Sequence, residues 1–262
     1  INGQILRAIH PGSKNMTSIL RVNPDYEQAL AFIKALSDDG KIFNFPFNDY
    51  FYQVVPGTND AAYVGPSPTS YLTGKRSFSG YQIIYPFPEV FLKLAKEKNY
   101  SAIKKLFGLL NVNYIFYTKD PKAFKEYYPA WPYSLFFNAV PNSQALTDFV
   151  DALRGETVFK KGDYILYEAR KENYLPHFYV PTSIIPYDNK GDWYGKNVSF
   201  FVDTSDGDPR VGYIEREQCV KLFSNVNCAS PNITQGRDVP TISVKRINPI
   251  KYSVEVSGAT GP

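Results

Sequence analysis

The segment GLLNVNYIFYTKD, residues 108–120, constrains the fold more than any other stretch of the chain. Its run of aromatic and β-branched residues, bounded by a helix-like approach and a polar end, is typical of a buried strand. In a catalytic α/β domain, the end of such a strand is where a nucleophile, a phosphate-binding loop or a metal ligand is expected. Here the end offers only Thr118, Lys119 and Asp120. The segment therefore predicts a central strand that carries no reactive group.

Helix and strand patterns alternate in the first part of the chain. Residues 23–40 predict a helix with Asn23 as the N-cap, Pro24 at the first helical position and Gly40 as the stop. KIFNFPF predicts a short strand that ends at Pro46. Residues 47–86, rich in Gly, Pro, Ser and Tyr, predict loop with short extended pieces.

Further helices flank the predicted central strand. Two short amphipathic patterns, separated near Asn99, lead into it, and Asp120-Pro121 predicts the start of the next helix. VPNSQALTDFVDALRG predicts another capped helix, and ETVFKKGDYILYEAR predicts a β-hairpin that turns at Lys161-Gly162-Asp163. This order indicates an α/β or α+β layer around one mixed sheet.

The pattern changes near residue 170, after which no helical period persists. Short strand patterns divided by Pro, Gly, Asn and Asp are typical of a β-sandwich or jelly roll. We therefore expect an α+β protein: an α/β domain over residues 1–170 with a mixed sheet, and a jelly-roll-like β-sandwich over residues 171–262. We expect the two to pack together as one unit.

The aromatic content is unusual, at 16% with 21 Tyr and 19 Phe. Such residues suit sheets and cores, and they also stack on sugars because each ring presents an apolar face. Tyr50 and Tyr52 in NFPFNDYFYQVV, together with Trp193, are the candidate sugar contacts, with ordinary packing as the alternative. The net charge of +4 is small and scattered along the chain, so nucleic-acid binding is not indicated.

Cysteines and glycosylation sequons bear on the compartment. A bond between Cys219 and Cys228, the only cysteines, would contribute about 2.5–3 kcal/mol by closing a short loop, and two buried free thiols are the alternative. The chain has no apolar run long enough to span a membrane and no signal-peptide layout, and we expect it to be part of a longer protein. A bonded pair and the sequons would favour an extracytoplasmic location. The four Asn-x-Ser/Thr sequons are at Asn15, Asn99, Asn197 and Asn232.

Patterns for catalysis are scarce. The two histidines, His10 and His177, have no metal-pair spacing and are expected to be structural. Asp203, Asp206 and Asp208 have the composition of a calcium loop but lack the terminal glutamate of an EF-hand, which favours an Asp-Gly turn. No GxSxG, GxxxxGK[ST] or GxGxxG pattern is present. We predict no catalytic, cofactor-binding or metal-binding residues. A glycoside hydrolase stays open as a third option, because its paired carboxylates need no sequence motif.

Five segments in order resemble a known family. They are FNFPFNDYFY, YPFPEVFLKLAKEKN, LFGLLNVNYIFYTKD, YILYEARKENYLPHFYVP and INPIKYSVEVSGA. Together they resemble the soluble extracytoplasmic region of YfhO-type and related C-type glycosyltransferase-like membrane proteins. The resemblance extends over most of residues 23–258.

The resemblance implies a non-catalytic domain on the extracytoplasmic face of the cell membrane. Members of the family are thought to transfer sugars from polyprenyl-phosphate donors, with catalytic acids in loops between transmembrane helices that this chain does not include. The expected partners are then the transmembrane region of the parent protein and a glycan or lipid-linked sugar. A secreted carbohydrate-binding or adhesion module without catalytic activity is the alternative.

Overall fold

The chain divides into two compact units, Ile1–Tyr174 and Leu175–Pro262. Both combine helices with strands, and both contain parallel as well as antiparallel strand pairs, so the fold is α+β. The computed structural model describes residues 7–8, 18–19, 21–38, 40–46, 52–58, 62–77, 87–120, 143–169, 178–188, 211–222, 227–229, 233–234, 240–248 and 251–258. Within them, no helix has the length and apolarity needed to cross a membrane.

In the first unit, groups of helices and groups of strands alternate along the chain. Its elements are β1 (Arg7–Ala8), β2 (Ser18–Ile19), α1 (Pro24–Ala35), β3 (Lys41–Phe45), β4 (Tyr52–Pro56), β5 (Ala62–Pro66), α2 (Pro68–Thr73), α3 (Phe87–Lys96), α4 (Tyr100–Leu109), β6 (Val112–Thr118), α5 (Ser143–Leu153), β7 (Arg154–Lys161) and β8 (Tyr164–Ala169). The second unit has fewer helices. Its elements are β9 (Ser183–Tyr187), β10 (Val211–Glu215), α6 (Arg216–Leu222), β11 (Ile233–Thr234), β12 (Thr241–Asn248) and β13 (Lys251–Ser257).

The central sheet of the first unit has the strand order β3-β6-β8-β7. β6 runs parallel to β3 and antiparallel to β8, so the sheet is mixed, as expected. The consecutive residues Ile115 and Phe116 of β6 are both fully buried, which shows that apolar side chains cover both faces of this strand. The prediction that residues 108–120 contain a central strand is confirmed.

Helices cover both faces of this sheet. On one face, α1 packs Tyr26, Leu30 and Ile33 against residues of β3, β6 and β8. On the other face, Phe43 of β3 stacks on Phe91 of α3 with the ring centroids 5.1 Å apart. Neighbouring rings from α4 and α5 complete this second, aromatic layer. Many of the described aromatic residues of the first unit therefore lie in its core.

Helix α1 begins as the sequence predicts and ends earlier. The Asn23 side chain accepts a hydrogen bond of 2.9 Å from the backbone N–H of Asp25, and Pro24 is the first helical residue. The predicted stop at Gly40 is wrong, because the helix ends at Ala35. The Lys75 ammonium donates to the carbonyl oxygens of Leu36 and Asp38, which satisfies acceptors just past the helix end. Gly40 has another role, since a Cβ there would overlap the side chain of Asn113.

Residues 47–86 contain more regular structure than the predicted loop. Strands β4 and β5 form an antiparallel hairpin in which Val54 is paired with Val64. Helix α2 follows, with the Ser67 side chain accepting from the backbone N–H of Thr69 and with Gly74 as a left-handed cap. Ser67-Pro68 is a typical helix start, but the high Gly, Pro and Ser content of residues 47–86 had favoured a loop.

The later helices and the hairpin predicted for the first unit are present where the structure describes them. Helices α3 and α4 are present, and the side chain of Asn99 caps α4. Strands β7 and β8 form the expected hairpin, with Gly162 at a positive φ of 50° in its turn. A Cβ at Gly162 would also meet the carboxylate of Asp25, so both space and backbone favour glycine there. The helix predicted from Asp120 onward falls outside the described residues.

The second unit corrects the expectation that no helix follows residue 170, because α6 comes directly after β10. Its seven residues are too few for a helical period to be recognised in the sequence. Strands β10 and β9 are parallel, β11 joins β9 in the antiparallel direction, and β12 pairs with β13 in a separate hairpin. The described strands thus form one small sheet and one hairpin, and the β-sandwich stays a prediction.

Candidate functional site

Most of the candidate site residues lie outside the described residues. These are the sugar-contact candidates Tyr50 and Trp193 and the sequons at Asn15, Asn197 and Asn232. The histidines His10 and His177, which were expected to be structural, and the predicted turn with Asp203, Asp206 and Asp208 lie outside them as well. Tyr52 lies on β4, where it is paired with Pro66. Asn99 is exposed, and its side-chain oxygen accepts a 3.1 Å hydrogen bond from the backbone N–H of Ala102. The side-chain nitrogen, to which a glycan would be attached, is not the atom used for this cap.

Cys219 and Cys228 form a disulfide bond, which confirms the predicted pairing. Both residues are buried, with Cys219 on α6. Arg216 of the same helix donates through Nε to a carboxylate oxygen of Asp188, at 3.0 Å, and through its terminal nitrogen to the carbonyl of Cys228. The disulfide bond joins α6 to Cys228, and Arg216 links both to Asp188 at the end of β9.

The carboxyl ends of parallel strands are the usual place for a ligand site in an α/β sheet. In the first unit this edge is where β3 and β6 end, where β8 begins and where the turn between β7 and β8 lies. We call its described polar side chains the polar edge. They are Asp25, Tyr26, Asn44, Gln53, Ser67, Thr69, Asp120, Asp163 and Tyr164.

One half of the polar edge is a buried network of amides and hydroxyls. The amide nitrogen of Asn44 donates to the hydroxyl of Ser67, and Ser67 donates to the amide oxygen of Gln53, each at 3.0 Å. The hydroxyl of Thr69 donates to the amide oxygen of Asn44 at 3.1 Å. All four residues are at most 3% exposed, while the amide nitrogen of Gln53 has no hydrogen-bond partner among the described residues. The network is uncharged and holds donors and acceptors in fixed positions.

The other half of the polar edge is acidic. Asp25 lies in the first turn of α1, Asp120 follows β6, and Asp163 lies in the turn of the β7–β8 hairpin. Burial raises the pKa of the Tyr164 hydroxyl well above its usual value, and the three nearby carboxylates add to that rise. Within the described part of the chain this hydroxyl has no hydrogen-bond partner.

Tyr26 connects the two halves. Its ring centroid lies 5.2 Å from that of Tyr164. Burial raises the pKa of the Tyr26 hydroxyl, and the Thr69 side chain of the amide network opposes part of that rise. The edge is therefore continuous from the carboxylates to the buried amides.

The side chains of the polar edge are suited to hydrogen bonding. Among the described His, Cys, Asp and Glu residues, no group of three or more is arranged to hold a metal ion. Amides, hydroxyls and carboxylates are the groups that accept and donate hydrogen bonds to polyhydroxylated or cationic ligands. This cluster is not predictable from local sequence patterns because its members are far apart in the chain. The only indication was their position after strands and at caps.

Comparisons with known proteins found no matching family model, no matching curated protein and no matching solved structure. The resemblance to YfhO-type membrane proteins therefore stays an expectation.

The buried network gives a first prediction. Replacing Thr69 by Val keeps the side-chain shape and leaves the amide oxygen of Asn44 without its donor, so the free energy of unfolding should fall by about 1–3 kcal/mol. Urea denaturation measures this value. The matched control is Thr58→Val, because Thr58 is exposed and its hydroxyl makes only a 3.4 Å contact, so the change should stay within about 0.5 kcal/mol. Equal losses in the two variants would contradict a structural role for the network.

The buried tyrosines give a second prediction, on alkaline stability. Since the pKa of Tyr164 is raised in the folded state, the unfolded chain ionises first when the pH exceeds about 10. Stability should therefore be independent of this group below that pH and fall above it. Tyr164→Phe should make the alkaline decline shallower and leave stability near neutral pH unchanged, or higher by up to about 1 kcal/mol.

The control for this variant is Tyr117→Phe. Burial also raises the pKa of Tyr117, but its hydroxyl lies 3.1 Å from the Thr147 hydroxyl, so this variant should lose about 1 kcal/mol near neutral pH. Urea denaturation over a pH series compares the two. A loss near neutral pH in Tyr164→Phe as large as that of the control would show that the Tyr164 hydroxyl has a partner.

Proposed function

We propose that this chain is a non-catalytic extracytoplasmic domain of a membrane-bound, polyprenyl-phosphate-sugar-dependent glycosyltransferase-like protein, and that it positions a glycan acceptor or a partner. The observation that carries the proposal is the buried Cys219–Cys228 bond, because such bonds persist in oxidising compartments. In this proposal the partners are the transmembrane region of the parent protein and a glycan or lipid-linked sugar. Residues 171–262 would be a β-sandwich, which the strands β9, β10, β12 and β13 support.

The polar edge adds support for a glycan rather than an apolar ligand. Sugar hydroxyls are bound by amide and carboxylate groups held in fixed directions, often beside an aromatic ring. Asp25, Asp120 and Asp163 supply carboxylates at this edge of the sheet, and the network that contains Asn44 and Gln53 is buried behind it. Tyr52 lies on β4, the same strand as Gln53.

A third prediction concerns the compartment. In the native cell the parent protein should be found in the membrane fraction, with Cys219 and Cys228 protected from alkylation until a reductant is added. Mass spectrometry of the peptides that contain the two cysteines measures this protection. Alkylation of both cysteines without reductant would place the domain in a reducing compartment and overturn the proposal. Recovery of the oxidised protein from the medium would instead favour the secreted module.

A fourth prediction concerns the sugar contact. The chain should bind a subset of immobilised glycans, and Tyr50→Ala and Trp193→Ala should weaken that binding by about three- to tenfold through loss of ring stacking. Tyr71→Ala is the control, because Tyr71 is 75% exposed on α2 and lies outside the predicted contact. Absence of binding by the parent chain, or equal binding by all three variants, would remove these residues as sugar contacts.

A further inference from the structure

The hairpin β12–β13 has one apolar face. Its register pairs Ile242 with Val256 and Val244 with Val254. Directly paired residues of antiparallel strands lie on the same face, and positions two apart share that face, so these four side chains form one apolar group. Neither strand pairs with any other strand in the part of the chain that the structure describes.

This apolar face is exposed. Val244, Val254 and Val256 are 39%, 43% and 55% exposed. The alternate positions Ser243, Lys245, Ser253 and Glu255 are polar, so the hairpin is an amphipathic ribbon. A two-stranded ribbon is only marginally stable in water, which makes a cover for its apolar face favourable.

The hairpin has a contact with the rest of its unit that fixes its position. The ring of Tyr252 on β13 packs edge-on against Phe178, with the centroids 5.1 Å apart. Tyr252 is paired with Arg246, close to the end of the hairpin where the chain turns. The strand that carries Val254 and Val256 is therefore anchored by this aromatic contact.

The area of the apolar face and the charge of the hairpin indicate which kind of partner covers the face. The three exposed valines present roughly 200 Å² of surface, against about 800 Å² per partner in a standard protein interface, so the face alone is too small for a stable dimer. The hairpin is also basic. Lys245, Arg246 and Lys251 are opposed by the single acid Glu255, and the two lysines are exposed.

We propose that the β12–β13 hairpin docks on an anionic lipid bilayer, with its valines in the interfacial region and the lysines of its polar face among the headgroups. Amphipathic elements with a basic polar face bind membrane surfaces in this way, and the energy comes from both the apolar contact and the charge. The proposal does not depend on glycosyltransferase membership, because it predicts binding by this chain alone.

The test is flotation of the purified chain with vesicles. Vesicles of phosphatidylglycerol and phosphatidylcholine in equal parts should bind the chain, and vesicles of phosphatidylcholine alone should bind it much less. Lys245→Glu with Lys251→Glu should weaken binding at least about tenfold, because each lysine near an anionic surface contributes several-fold. Val254→Ser with Val256→Ser should weaken binding as well, and both pairs of positions are exposed, so the fold should be kept.

Two matched controls separate the hairpin from general charge and general stickiness. Lys93→Glu with Lys96→Glu makes the same charge change on exposed positions of α3. Val220→Ser with Leu222→Ser removes apolar groups that are 64% and 61% exposed on α6. Both should bind vesicles as the parent chain does.

Three results would overturn the proposal. The parent chain could fail to bind anionic vesicles, or the α3 variant could lose as much binding as the hairpin variant. Alternatively, size-exclusion chromatography could show a dimer that the Val254→Ser, Val256→Ser variant abolishes, which would assign the face to a second copy of the chain. Binding that is lost in the hairpin variants alone would support the lipid surface.

Discussion

Strand β6 is paired on both sides and covered on both faces, and the arrangement of the first unit depends on that burial. A strand in this position needs apolar side chains at successive residues, which is why Ile115 and Phe116 are both fully buried. It also needs a helix layer on each face. Helix α1 provides one layer through Tyr26 and Leu30, and the phenylalanines around Phe43 form the other.

The same burial explains where the polar groups collect. A polar side chain without a hydrogen-bond partner is costly in the core, so polar side chains lie where the strands end and the helix caps begin. At that edge Asn44 is still on β3 and is fully buried, and it is satisfied only because Ser67 and Thr69 reach it from the start of α2. The network thus couples the end of the sheet to the start of a helix. It is a buried structural network that lies beside the acidic half of the edge.

Local patterns in the sequence predicted the elements whose determinants are local. The Asn23-Pro24 start of α1, the buried run of β6 and the Gly162 turn of the β7–β8 hairpin are each fixed by neighbouring residues. Residues that meet only in the folded chain were not predictable in this way. The polar edge joins Asp25 to Asp163 and Asn44 to Thr69, and the short helix α6 offered too few residues for a period. The Cys219–Cys228 pairing was predictable because no other cysteine competes.

The chain just past the end of α1 is held by a residue that is distant in the sequence. The ammonium group belongs to a residue 39 positions after the carbonyl of Leu36 that it binds. A peptide that contains only α1 and its flanking residues lacks this group, so water would have to bind the carbonyls of Leu36 and Asp38 instead. The path that the chain takes after this helix is therefore a tertiary property.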